Sequence, residues 1–154
     1  MDHKDNAEPI SLLTFLTCEM VTHDFLADRF TAVNIFSSIR CSRFPATVTN
    51  FCLFAEIVCG KGWNDLRFRI VCAAGEDPPL IDRRWIMQIG DPLEIRVQHA
   101  DLGPIVFPRP GVYLVEVLQG EQRITDRRIV MELETREILD HHEPWSSDDD
   151  DDAQ

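Results

Sequence analysis

A chain of 154 residues with 44% apolar and 27% charged residues is one domain's worth of polypeptide, able to bury a core without disulfide or metal staples. Its formal charge of −12 comes from 27 acidic residues against 15 basic ones, which disfavours binding to nucleic acid because phosphate contacts need clustered Lys and Arg. No apolar run reaches the length of a membrane span, and the acidic N-terminus MDHKDNAEPI lacks the basic region of a secretory signal, so no membrane association is expected.

Apolar and polar residues alternate over short runs along most of the chain, which is the period of half-buried strands. A first strand is expected over ISLLTFLTCEM and a second over FTAVNIFSSIR, joined by a turn that holds HDFLAD. TNFCLFAEI sets Phe51, Leu53, Ala55 and Ile57 on one face, with Asn50, Cys52, Phe54 and Glu56 on the other. LRFRIVC points Leu66, Phe68, Ile70 and Cys72 one way and Arg67 and Arg69 the other. The two glycines of CGKGWND permit a tight reversal between these segments, so they are expected to pair as a hairpin.

After the turn signal Gly90-Asp91-Pro92, LEIRV is expected to turn Leu93, Ile95 and Val97 inward. VYLVEVL sets Tyr113, Val115 and Val117 against Glu116 on the opposite face. Pro108, Pro110 and Gly111 open that strand, Gly120 reverses it, and Ile129, Met131 and Leu133 alternate along the returning one. ETREILDHH is a short helical candidate after the last strand.

Eight or nine short strands with turn signals at this spacing predict an all-β fold, a two-sheet antiparallel β-sandwich rather than a ligand-holding barrel. The expected organisation is a flexible N-terminus over 1–9, a β-sandwich domain over 10–139 and an acidic disordered tail over 140–154. Cys18, Cys41, Cys52, Cys59 and Cys72 form no C-x-x-C pair and are odd in number. They fit the reduced, mostly buried thiols of a cytoplasmic protein better than a disulfide framework or a zinc cluster.

Taken together, the strand running into TCEMVTHD, the segment FTAVNIFSSI, the FPA before a long apolar strand, and a P-G-V-Y hairpin with GEQRI resemble a family of small bacterial proteins known as a domain of unknown function. The resemblance covers residues 10–133. It implies a β-sandwich of bacterial or phage-related origin, and it carries over no catalytic residues.

The densest metal-capable stretch is DHHE, Asp140 to Glu143, but adjacent His141 and His142 diverge on a strand or a helix, so no metal site and no cofactor are assigned. His23-Asp24 and His99-Ala-Asp101 each place an imidazole near a carboxylate, and they are the basis of an alternative in which loops assemble a hydrolase-like site. No G-x-S-x-G elbow supplies a nucleophile, GKG at 60–62 lacks the rest of a P-loop, and no catalytic residue is assigned. Asp24 and Asp28 are within reach of Arg29 as surface ion pairs.

Trp63 is expected in a turn and Trp85 directly after Arg83-Arg84, the composition of a binding hot spot; the competing reading is that each folds back to cover a sheet edge. The leading expectation is therefore a non-enzymatic binding or assembly module acting through protein–protein contacts at Trp63, Trp85, Arg83 and Arg84, with a homodimer as its simplest form. A third reading, a sandwich that binds a small ligand or carbohydrate, would need an aromatic platform, and Tyr113 is the single tyrosine.

Overall fold

The β-period of the sequence is realised throughout. The computed structural model describes residues 8–75 and 77–135, and within them every regular element is a strand. There are eleven: β1 (Ile10–Asp24), β2 (Arg29–Ile35), β3 (Ser38–Cys41), β4 (Ala46–Val48), β5 (Cys52–Cys59), β6 (Gly62–Cys72), β7 (Ile81–Ile89), β8 (Arg96–Asp101), β9 (Ile105–Phe107), β10 (Gly111–Gln119) and β11 (Gln122–Leu133). They form a four-stranded sheet in the order β2-β1-β5-β8, a five-stranded sheet in the order β3-β11-β10-β6-β7, and a small β4-β9 pair. The helical candidate falls outside the described residues from position 136, as does the acidic tail; Glu134 and Thr135, its first two residues, are not helical.

The core follows from alternation. Phe51 and Leu53, from the four-stranded sheet side, share one buried cluster with Phe68 and Ile70 of β6, Tyr113 and Val115 of β10, and Ile129 and Met131 of β11. Ile105 and Phe107 of β9 join that cluster, so the small pair closes one end of the core. A second cluster sets Ala55 and Ile57 against Leu66, Met87 and Ile89. Each Leu, Ile, Val, Phe or Met among them contributes about 1.5–3 kcal/mol by leaving water.

Three local expectations are corrected, and one strand is added to them. FTAVNIFSSIR is two strands, one in each large sheet. Asn34, one residue before the end of β2, adopts a positive φ of 52°, a conformation Asn tolerates; beyond Ile35 the Phe36 amide bonds Thr17 O at 3.0 Å while the Val130 amide takes Ser37 O at 2.9 Å. The chain thereby crosses from β1 to β11, where β3 pairs in parallel.

The segments flanking CGKGWND do not form a hairpin, because β5 and β6 belong to different sheets. Both carry a fully buried row, and the two rows face one another across the core instead of lying side by side. Gly60 and Gly62, at φ 76° and 98°, make this crossing. The buried Asn64 amide donates to Gly60 O and, at 3.2 Å, to Gly62 O, and accepts from Gln119 Nε2 at 3.1 Å. A Cβ on Gly60 would clash with Ile10 Cγ2, so the crossing is also packed against the start of β1.

Leu93 and Ile95 are exposed rather than inward, since β8 begins only at Arg96. Asp91 holds the preceding residues in a turn, its Oδ1 accepting the Leu93 amide at 2.9 Å and its carbonyl the Glu94 amide at 3.1 Å. The added strand is β7, nine residues that no expectation covered. Arg83 and Arg84 interrupt its apolar pattern, although Met87 and Ile89 are buried.

Arg127 links the two large sheets. It lies opposite Val115 in the β10–β11 register and reaches across to β1, donating from Nε to Thr17 Oγ1 at 3.1 Å and from its terminal nitrogens to Phe15 O and Phe36 O at 3.4 Å. On the opposite margin Arg96 of β8 donates to Gln88 O of β7 at 3.3 Å.

Candidate interaction surfaces

Strands β6 and β7 present the first surface. In β6 the residues between the buried Leu66, Phe68 and Ile70 point outward, so Trp63, Asp65, Arg67 and Arg69 share the outer face. The register sets Arg67 opposite Arg84 and Arg69 opposite Asp82. Like charges directly opposite are unfavourable, and diagonal carboxylates offset them: Arg67 makes a two-pronged contact with Asp82, and Arg84 does the same with Asp65. Farther in, the buried Glu116 takes Arg69 Nε at 2.6 Å and Arg123 at 3.3 Å.

These pairings shift the carboxylates. The Arg84 guanidinium holds the Asp65 carboxyl below its ordinary value, and Arg67 does the same for Asp82, in each case chiefly through the hydrogen bond. A surface groove runs between these four residues and the Gly120–Glu121 turn. Its charges are already matched within the sheet.

Trp63 stands beside this ladder, 67% exposed, with Ile86 nearby on the same face. Trp85 does not share that face. It pairs with Leu66, is half-buried, and packs its ring 4.5 Å from that of Phe68. Arg83 and Arg84 likewise point to opposite sides, Arg83 lying opposite the buried Phe68 and Arg84 opposite Arg67. The four sequence-predicted binding residues therefore split into an outer pair, Trp63 and Arg84, and an inner-rim pair, Trp85 and Arg83.

The second surface is the β1–β2 hairpin. Cys18 opposite Cys52 is the last rung between β1 and β5, whereas β1 goes on pairing with β2 to Asp24 opposite Arg29. Among the described residues, 19–24 thus have β2 as their only sheet neighbour, and β2 is an edge. At the tip, Asp24 Oδ1 accepts the amides of Leu26 and Ala27 at 3.0 and 3.2 Å, and Asp28 takes a positive φ of 50°. This turn thrusts Phe25 and Leu26 into solvent at 82% and 101% exposure; Met20 and Ile35 are also exposed.

One side of the hairpin is held down by aromatic contacts. The rings of His23 and Phe30 stack at 4.1 Å, and Phe30 lies 6.0 Å from Phe54 and 5.9 Å from His99. The chain accordingly brings His23 and His99 against the same phenyl ring. The carboxylates beside them have other tasks: Asp24 caps the turn, and Asp101 Oδ1 accepts the Gly103 amide at 3.1 Å. His23 Nε2 meets Asp28 Oδ1 at 2.9 Å, a partner the sequence reading had set against Arg29. Tyr113 is fully buried and donates to Arg109 O at 2.8 Å.

Most of this architecture is matched by a family model. It is a family of unknown function, DUF6941, and the match spans residues 13–132, from within β1 to within β11. The chain belongs to this family. The resemblance read from the strand patterns is thus shown, and both surfaces lie inside the family's span. No curated protein matches the chain.

Sequence reasoning missed Phe25 and Leu26 as surface features. The signal was present in HDFLAD, where two bulky apolar residues occupy the centre of a turn that polar residues usually fill. Among the described residues no cluster of three or more His, Cys, Asp or Glu could hold a metal ion, and no helix is long and apolar enough to cross a membrane. The DHHE stretch lies outside the described residues.

Proposed function

We propose that this protein is a non-enzymatic binding module of the bacterial cytoplasm, a two-layer β-sandwich that acts through protein–protein contacts and uses the β1–β2 hairpin to associate with a second copy of itself. The observation that carries this reading is the combination of an unpaired edge strand with an exposed apolar tip on one hairpin. Edge strands are ordinarily blunted by Lys, Pro or cover from another element, because their free amides and carbonyls template pairing. RFTAVNI contains neither Lys nor Pro.

The strand is also compatible with itself. Antiparallel pairing of two β2 strands about Ala32 sets Thr31 against Val33, Phe30 against Asn34 and Arg29 against Ile35, with no like charges directly opposed. A two-fold axis through Ala32 closes the assembly at two copies. The cytoplasmic setting is supported by four free cysteines in the described fold.

Light scattering across a concentration series tests the reading. The expected mass at high concentration is twice 17.7 kDa. A monomer at every concentration would remove self-association from the reading. Because each chain carries a charge of −12, association of two copies should tighten as salt is added, whereas a basic partner on the same hairpin would be released by salt.

A further inference from the structure

Cys18 and Cys52 face one another across the β1–β5 pairing, although they are 34 residues apart in the chain. Directly opposed residues of antiparallel strands have Cα atoms about 4.5–5.5 Å apart, which falls inside the roughly 4.4–6.8 Å that a disulfide spans. The thiols lean across the same junction, Cys18 Sγ to Cys52 O at 4.0 Å and Cys52 Sγ to Glu19 O at 3.5 Å. Both are free. Their rung is the point at which β1 parts from β5 and continues as the projecting hairpin.

We propose that Cys18 and Cys52 are a cross-strand oxidation site that closes to a disulfide on reaction with a hydroperoxide, covalently fixing the root of the β1–β2 hairpin to β5. Cys52, at 8% exposure against 0% for Cys18, is the residue a peroxide meets first. Its thiolate sulfur takes one peroxide oxygen as the O–O bond breaks, leaving a sulfenic acid and releasing water or an alcohol. Cys18 sulfur then attacks the sulfenyl sulfur, the S–O bond breaks, and the oxygen leaves as water with the thiol proton. Two thiols lose two electrons and two protons to one hydroperoxide, so the balance closes without another reductant or oxidant.

The setting also determines when the bond forms. Burial raises both thiol pKa values, and for Cys52 the neighbouring Asp101 carboxylate and Cys18 add to it. Thiolate is therefore scarce at neutral pH, and the pair rests reduced until peroxide persists or the pH rises toward the thiol range. The chemistry stands apart from the docking reading; only its consequence for the hairpin's use as a docking arm rests on that reading.

Peptide mapping of the native full chain under non-reducing conditions, after treatment with hydrogen peroxide, tests the site. The expected product is a linked peptide pair holding Cys18 and Cys52, lighter than the sum of its parts by two hydrogens, formed faster at alkaline pH. In Cys18→Ser the link should vanish and dimedone should capture Cys52 as its sulfenic acid. Should that variant fail to fold, dimedone present during oxidation of the unsubstituted chain should label Cys52 and suppress the link. Links to Cys41, Cys59 or Cys72 in place of this pair, or Cys52 sulfenic acid accumulating without a link, would overturn the proposal. Because the readout is a peptide mass, it is independent of whether the chain dimerises.

Discussion

The β6–β7 and β1–β2 hairpins both end at an unpaired sheet edge, and both expose large apolar side chains, yet they resolve that exposure in opposite ways. On β6–β7, Trp63 and Ile86 sit beside a lattice in which Arg67, Arg84, Asp65 and Asp82 satisfy one another within the sheet. Charged residues on β7 also make it a poor template for another strand. On β1–β2 the polar groups serve the turn and the hairpin's own rungs, with Asn34 bound to Glu19 at 2.7 Å and Asp24 to two tip amides. Phe25 leans on the His23 ring at 4.3 Å yet stays 82% exposed, and Leu26 is exposed entirely. Exposure alone does not mark a surface that needs a partner; exposure without internal satisfaction does.

The largest effect should come from the hairpin tip. Replacing Phe25 and Leu26 together by Ser removes the apolar anchors without touching the core, so the affinity of the proposed dimer should fall on the order of a hundredfold, about 2.7 kcal/mol, when followed by sedimentation equilibrium. The monomer's denaturation midpoint should hardly move, because neither side chain is buried. If the same substitutions leave the mass unchanged while Trp63→Ala halves it, the roles assigned to the two hairpins are reversed.

Arg127→Ala comes next. It leaves Phe15 O and Phe36 O without this donor at the base of the β1–β2 hairpin, and hydrogen bonds from a charged donor are worth about 1.5–3 kcal/mol. Urea denaturation should show a loss of about 2 kcal/mol. Amide exchange should speed up more in residues 19–24 than in β6–β7; equal acceleration of both would mean that Arg127 acts on the whole fold and not on the hairpin's anchorage. Trp63→Ala, by contrast, should alter stability by no more than about 0.5 kcal/mol, since most of that ring already lies in water.

The difference between the hairpins also explains what could be read from residue types. The inward rows Leu53–Ala55–Ile57, Leu66–Phe68–Ile70 and Tyr113–Val115–Val117 were legible because alternation is a property of each strand alone. Strand partnership is not. Gly60 and Gly62 permit a hairpin and a crossing equally well, and only the need to bury two apolar rows against each other decides between them. β7 escaped notice because Arg83 and Arg84 break its pattern, and the meaning of Arg84 is visible only once Asp65 stands diagonally opposite it. The candidate site was less legible still: Trp63 and Trp85 look alike in sequence but lie on opposite faces, while Phe25 and Leu26 were hidden inside an ordinary turn.

The smallest predicted effect concerns the ionic lattice and has a definite sign. Asp65 and Asp82 titrate below their ordinary value in the folded chain, held down by Arg84 and Arg67. A carboxylate with a depressed folded pKa contributes stability that is present above its unfolded value of about 3.9 and is lost as pH falls through the lower folded value. Both side chains are more than a third exposed, so water and salt screen the contribution heavily. Thermal denaturation should therefore show a slight extra loss of stability below about pH 4. That increment should shrink in Asp65→Asn/Asp82→Asn and fade in molar salt. A large, salt-insensitive acid loss tied to these two residues would mean that the lattice holds the fold together, and β6–β7 would then be the hairpin whose removal the protein could not tolerate.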